Sequence, residues 1–175
     1  MAKFLHSRVG TTPADEILEQ NVLSLAQLRS LIAGDFHLEM LGDCFVLLHE
    51  KGLFVLKQCH QNGIIQAKPS EEVWTDTNYL GDSTDFPNPL LENGENIAKL
   101  SKMLKLPEAD FHSCILFDTQ CELRRVPENT GVFSILRIDQ LEDHFAELLP
   151  TLPVRYTHTQ LTALNDIFLL VSTAS

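Results

Sequence analysis

The sequence predicts one α/β domain in which a central mixed β-sheet, with an antiparallel hairpin, is flanked by helices. The chain has 175 residues, 44% of them hydrophobic, which is enough to bury a core without disulfides. Two apolar runs, residues 44–48 and 53–56, flank a four-residue turn that ends in Gly52 and therefore predict a hairpin. Segments with helical spacing occur before, between and after the strand-like segments, which favours a mixed architecture.

The N-terminal part predicts a helix followed by strands. Thr12 and the proline after it are typical of a helix start, and apolar residues at helical spacing continue to about residue 32, before Gly34. Residues 36–40 alternate between apolar and polar side chains, which predicts a half-buried strand. After the hairpin, Gly63 belongs to a second turn that leads into a short strand at residues 64–65.

The C-terminal part begins with a segment that reads as irregular. Residues 76–89 are rich in Asp, Thr, Asn, Gly and Pro, and so predict a long loop. The elements predicted after it are a helix over 89–105, strands over 112–117, 121–126 and 132–136, a helix over 139–149 and a terminal helix to about 171.

Charge and cysteine content narrow the functional classes. The chain has 13 Lys and Arg against 24 Asp and Glu, a formal net charge of −11, which opposes sequence-independent binding to DNA. Its four cysteines form no C-x-x-C pair, so we expect a reduced, cytoplasmic protein. No signal-peptide pattern and no apolar run of membrane-spanning length is visible, and we expect no membrane partner.

Several short segments occur in an order that resembles a known family. The strand Gly-Leu-Phe-Val-Leu at residues 52–56, followed by Asn62-Gly63, resembles the centre of the nuclease-related domain (NERD) family. The further segments that align are Leu41-Gly42-Asp43, Val73-Trp74-Thr75, Asn88-Pro89-Leu90-Leu91-Glu92-Asn93, Cys114-Ile115-Leu116-Phe117 and the closing helix around residues 161–167. The resemblance implies a bacterial, restriction-endonuclease-like NERD domain over residues 10–175, preceded by a tail of residues 1–9.

The resemblance also implies metal-dependent phosphodiester hydrolysis, but the implied site is altered. In the family, the hairpin strand leads into Glu-x-Lys, whose carboxylate would hold Mg²⁺ beside an Asp of the preceding strand. Asp43 matches that Asp and Glu16 the first-helix acid, whereas the Glu-x-Lys position reads Lys57-Gln58-Cys59. An ammonium beside Asp43 would compete with Mg²⁺. We therefore predict an inactive site without cofactor, in which Lys57 lies within ion-pair reach of Asp43.

Three functional interpretations stay open. The favoured one is a catalytically inactive interaction or regulatory module in nucleic-acid metabolism. The second is an active Mg²⁺-dependent nuclease that uses Glu16, Asp43 and a displaced carboxylate, either Glu92 or Glu50. The third is an acidic protein-binding module. The sequence identifies neither the partner, protein or nucleic acid, nor the oligomeric state.

Other groups of residues have ordinary structural explanations. Lys99, Lys102 and Lys105 recur along one predicted helix and are candidates for nucleic-acid binding, with Arg124 and Arg125 later in the chain. A solvated helix face with cations toward its C-terminus explains the lysines as well, and is favoured. Taken alone, Asp43 reads as a turn residue, Glu16 as a helix-start acid and Lys57 as an edge-strand charge.

Zinc binding is a further alternative that the sequence does not favour. Cys44, Cys59 and His60 match no common zinc spacing. We expect Cys59 and His60 to be adjacent in a strand, so their side chains would face opposite ways. Buried cysteines are the favoured interpretation.

Overall fold

The larger of two sheets has five strands, in the spatial order β1-β2-β3-β7-β9. The computed structural model describes residues 24–174. The five strands are β1 (Phe36–Leu41), β2 (Cys44–His49), β3 (Gly52–Gln58), β7 (Phe111–Phe117) and β9 (Phe133–Arg137). The first three strands are antiparallel neighbours, whereas β7 runs parallel to both β3 and β9. The predicted hairpin is confirmed.

The smaller sheet has four strands in the order β6-β5-β4-β8. They are β4 (Ile64–Gln66), β5 (Val73–Thr77), β6 (Ser83–Pro87) and β8 (Glu122–Arg125). This sheet is also mixed, because β4 pairs antiparallel with β5 and parallel with β8. The prediction of an α/β fold with a mixed sheet is therefore confirmed, although the strands divide into two sheets rather than one.

The predicted loop over residues 76–89 is wrong. Most of it is the antiparallel hairpin of β5 and β6, closed by a turn in which the Asn78 amide N–H donates to the Asp82 carbonyl at 2.9 Å. Only Trp74 and Phe86 of this hairpin are fully buried, so its polar composition resembles that of a loop. The backbone hydrogen bonds of the hairpin require no further apolar residues.

Four helices flank the sheets in the described part of the chain. They are α1 (Leu25–Leu31), α2 (Pro89–Leu104), α3 (Leu141–Leu148) and α4 (His158–Ser172). Short 3₁₀ turns flank α3 and account for the longer helix predicted there. The described part of the first predicted helix ends at Leu31, and its predicted start at Thr12 lies outside the described residues.

The helices cover both faces of the larger sheet. On one face, α1 and α3 contribute Leu28, Leu141 and Phe145 to a core with Leu47 and Phe54. On the other face, residues of α2 and α4 pack against the alternate residues of β2 and β3, among them Val46 and Val55. A third cluster, which includes Trp74, Phe86 and Phe117, joins the two sheets. Because successive side chains of a strand point to opposite faces, the larger sheet contributes to a core on each of its two faces.

A chain of buried and partly buried hydrogen bonds connects β7, β9 and α3. His112 Nδ1 lies 3.0 Å from the Gly131 carbonyl oxygen, His112 Nε2 lies 2.8 Å from Ser134 Oγ, and Ser134 Oγ lies 2.7 Å from His144 Nε2. Because a carbonyl oxygen only accepts, Nδ1 of His112 donates, its Nε2 accepts from Ser134, and Ser134 accepts from His144. Burial lowers the pKa of both histidines, so both rings are neutral at pH 7.

Candidate functional site

The hairpin geometry brings Asp43 beside Lys57. Cys44, the first residue of β2, lies directly opposite Lys57 of β3. Asp43 precedes Cys44 in a two-residue turn between β1 and β2, and Gly42, the first residue of that turn, has a φ of 59° that favours glycine. Leu41 therefore ends β1, and β2 begins at Cys44.

Lys57 contacts two carboxylates. Its Nζ lies 2.7 Å from Asp43 Oδ2 and 3.6 Å from Glu92 Oε2. The lysine side chain is only 12% exposed, whereas those of Asp43 and Glu92 are 74% and 47% exposed. The predicted proximity of Asp43 and Lys57 is confirmed, and the lysine is the least exposed member of the cluster.

Glu92 reaches the cluster because α2 is fixed at its N-terminus. The Asn88 side chain accepts from the Leu90 amide at 2.9 Å and caps the helix, with Pro89 in the first helical position. One turn later, the buried Asn93 Nδ2 donates to the Val55 carbonyl at 2.9 Å and to Ser113 Oγ at 2.8 Å. These bonds tie the first turn of α2 to β3 and β7.

The charges in the cluster stabilise one another. The hydrogen bond and positive charge of Lys57 hold the pKa of Asp43 below its ordinary value. Burial alone would lower the pKa of Lys57, but the hydrogen bond that Lys57 donates to Asp43 and the negative charges of Asp43 and Glu92 raise it. At neutral pH the cluster is therefore two carboxylates around one ammonium, with a net charge of about −1.

The three charged side chains lie in an open cleft of about 390 Å³. Apolar side chains form much of its wall: Met40, Phe45, Phe86, Pro87 and Pro89. Cys59 and His60 also line this cleft. The sequence did not identify Phe86 and Pro87 as cleft residues, because it predicted that β6 was part of a loop. The apolar pair Trp74 and Phe86, flanked by polar residues, is the signal that could have identified those strands.

A divalent metal ion in the cleft would compete with Lys57 for the two carboxylates. Mg²⁺ requires several oxygen ligands. Here the two carboxylates already share the Lys57 ammonium, so a cation between them would meet a like charge at contact distance. No group of three or more His, Cys, Asp or Glu side chains within residues 24–174 is arranged to hold a metal.

The other predicted site residues lie apart, with one exception. Cys59 lines the same cleft as Lys57. Glu50 follows the far end of β2, roughly 20 Å of strand from Asp43, and lines a different cleft. The alternative with Glu50 as the displaced carboxylate is therefore wrong. Glu16 lies outside the described residues.

The candidate lysines follow the same helix away from the site. Lys99 and Lys102 are exposed on α2, and Lys105 follows the helix end in a left-handed conformation, with a φ of 54°. At the helical rise, Lys99 lies about 10 Å and Lys105 about 20 Å from Glu92 along the axis. Their role in binding nucleic acid stays a prediction.

The cysteines near the cleft are buried, neutral thiols. Burial raises the pKa of Cys44 to about 11 and that of Cys59 to about 12. Cys44 packs against α2 and α4, whereas Cys59 packs between the two sheets. Cys59 and the exposed His60 follow the end of β3, which corrects their predicted position within a strand. Protonated thiols in separate clusters are poor zinc ligands.

Comparisons with known proteins agree with part of the resemblance. No curated protein and no solved structure matched the chain. No helix among residues 24–174 has the length and apolar character to cross a membrane. The resemblance to the family also includes Asp43 and α4, but both lie outside the segment that matches a family model. That segment, residues 45–118 from β2 to the end of β7, matches the model of the nuclease-related domain (NERD), which indicates a nucleic-acid related function.

Proposed function

We propose that the chain is a nuclease-related module that has lost metal-dependent phosphodiester hydrolysis and acts by binding in nucleic-acid metabolism. The observation that supports this most directly is the position of the Lys57 ammonium between Asp43 and Glu92. A hydrolytic site of this kind needs carboxylates that are free to hold a cation. Here the chain supplies the positive charge itself.

The second feature behind the proposal is that the described thiol of the cleft, Cys59, is not an activated nucleophile. The Cys59 thiol stays protonated at neutral pH, because burial raises its pKa to about 12. A general base must be within hydrogen-bond reach of the proton that it removes and have a pKa near the working pH. Asp43, whose pKa is lowered by Lys57, is a weak base for that purpose.

The competing function is an active nuclease with Glu92 as the displaced carboxylate, and it is favoured only by the position of Glu92 in the cleft. The two proposals differ in a cleavage assay on single- and double-stranded DNA and RNA with Mg²⁺ or Mn²⁺. We expect no cleavage above that of Asp43→Asn. Cleavage that requires metal and disappears in both Asp43→Asn and Glu92→Gln would overturn the proposed loss of hydrolysis.

Binding is tested separately from cleavage. Fluorescence anisotropy with labelled DNA should detect any contact through the lysines of α2, and the affinity should fall with added salt if phosphates are contacted. The triple change K99Q, K102Q and K105Q should then remove binding, while the control change K68Q, at an exposed lysine outside α2, leaves it in place. Unchanged, salt-independent binding in the triple variant would exclude this lysine row as the contact.

A further inference from the structure

Helix α4 has a second apolar face that points away from the core. Its inner face, formed by Leu161, Leu164 and Phe168, is buried against the larger sheet and α2. On the outer side, Leu170 is 72% exposed and Ile167 is 41% exposed. A helix that covers a core normally presents polar residues outward, so this outer face requires a separate explanation.

The outer apolar residues have a symmetric spacing. Ala163, Ile167, Leu170 and Ala174 are exposed and follow one another at intervals of four, three and four residues, with Ala174 just beyond the helix end. This is the spacing at which residues share one side of a helix and pack against a second helix. The pattern reads the same from either end, about a point between residues 168 and 169. An antiparallel copy of the helix would therefore set Ile167 opposite Leu170, and Ala163 opposite Ala174.

The charge of this face identifies the kind of partner. From residue 159 to the end of α4, the only charged side chain is Asp166, although the chain as a whole has a formal net charge of −11. Helices that lie on membranes are rich in Lys and Arg on their polar face, and α4 has none. Two copies of an acidic chain repel each other, so a contact between them requires a surface that is nearly free of carboxylates.

We propose that two copies of the chain associate through the outer faces of their α4 helices, antiparallel about a two-fold axis. The same four residues of each copy form the contact, as a two-fold interface requires. One helix face is smaller than the roughly 800 Å² per partner of a standard interface, so the dimer is weak, with a dissociation constant in the micromolar range. The apolar contact opposes the charge repulsion, and salt strengthens the dimer by screening that repulsion.

Sedimentation equilibrium of the full chain from about 1 to 200 μM measures this association. We expect L170E to raise the dissociation constant at least about 100-fold, since two copies of a central contact residue are lost. The matched control is L80E on the β5–β6 turn, where Leu80 is 70% exposed, and it should leave the constant unchanged. A chain that is monomeric throughout, or a dimer that weakens between 50 and 500 mM NaCl, would overturn the proposal.

Cross-linking tests the orientation and does not depend on L170E. The four native cysteines are buried, so a short bismaleimide reacts mainly with an introduced one. In the antiparallel pair the two copies of residue 166 are offset by about 7.5 Å along the axis, and those of residue 163 by about 16.5 Å. We expect D166C to form cross-linked dimers and A163C to form few. Equal cross-linking of both indicates a parallel pair, and cross-linking of neither indicates another occupant of the face; either result overturns the proposal.

Discussion

Removing both carboxylates from Lys57 should destabilise the protein more than removing Lys57 itself. The double change D43N and E92Q leaves a mostly buried ammonium without the two negative charges that contact it. In contrast, Lys57→Met leaves Asp43 and Glu92, which are both substantially exposed and can be solvated by water. A buried charge without a partner is costly, whereas an exposed one is not.

The distances and exposures set the expected magnitudes. Asp43→Asn removes the carboxylate that lies 2.7 Å from Lys57 Nζ. Because the Asp43 side chain is largely exposed, we expect the substitution to lower the free energy of unfolding by only about 1 kcal/mol. Glu92→Gln acts at 3.6 Å and should cost at most about 0.5 kcal/mol. Together they should cost about 2–3 kcal/mol, more than the sum, because each carboxylate partly compensates for loss of the other. Lys57→Met should cost less than about 1 kcal/mol.

Urea unfolding at pH 7 measures these differences. Adding Lys57→Met to the double variant should recover most of the loss, since no charge then lacks a partner. The exposed pair of Arg124 and Glu122 provides the control, and Glu122→Gln should cost less than about 0.5 kcal/mol. Because the pKa of Asp43 is lowered, its contribution is present above its ordinary value of 3.8 and is lost as pH falls through the lower folded-state value. Additive losses, or a larger loss for Lys57→Met than for the double variant, would refute this reasoning.

Three further variants test other parts of the molecule. Burial lowers the pKa of His112 and His144, so the free energy of unfolding should fall as pH drops below about 6.5. The fall should be at most about 1.4 kcal/mol per pH unit for each histidine. His112→Asn should therefore flatten the dependence of the urea midpoint on pH between about 7.5 and about 5. Asn93→Ala should cost about 2–3 kcal/mol in urea unfolding by leaving buried groups of β3 and β7 without their donor, and a loss below about 0.5 kcal/mol would contradict its anchoring role. The double change K57E and C59K restores the family's Glu-x-Lys and should bind Mn²⁺ at least about 10-fold more tightly than the wild type by calorimetry. Unchanged affinity would contradict the view that Lys57 is what displaces the metal.

The hairpin and its ion pair could be predicted because they depend on neighbouring residues. The apolar runs at residues 44–48 and 53–56 and the turn glycines determine which residues face each other, and this register brings Asp43 to Lys57. The β5–β6 hairpin could not be predicted in the same way. Its polar residues pair through the backbone, and only Trp74 and Phe86 mark its buried side.

The rest of the cleft depends on packing between distant segments. Glu92 reaches Lys57 only because Asn93 binds the backbone of β3, and periodicity alone does not reveal such a contact. The sequence also gives no measure of exposure, and the structure shows that the lysine, rather than Asp43, is the buried partner. Because of that difference, loss of the two carboxylates is expected to cost more stability than loss of Lys57.

The parallel contact between β3 and β7 has a consequence for the order of folding. Leu53 pairs with Phe111, and the segment between these strands includes β4, β5, β6 and α2. Closing so long a segment loses more chain entropy than closing the short turns of β1, β2 and β3, and contacts distant in sequence slow folding. The pair of Asp43 and Lys57 can therefore form with the early meander, whereas Glu92 joins them only after α2 has docked. During that interval the lysine has a single carboxylate, and substitutions at Glu92 should change the unfolding rate far more than the folding rate.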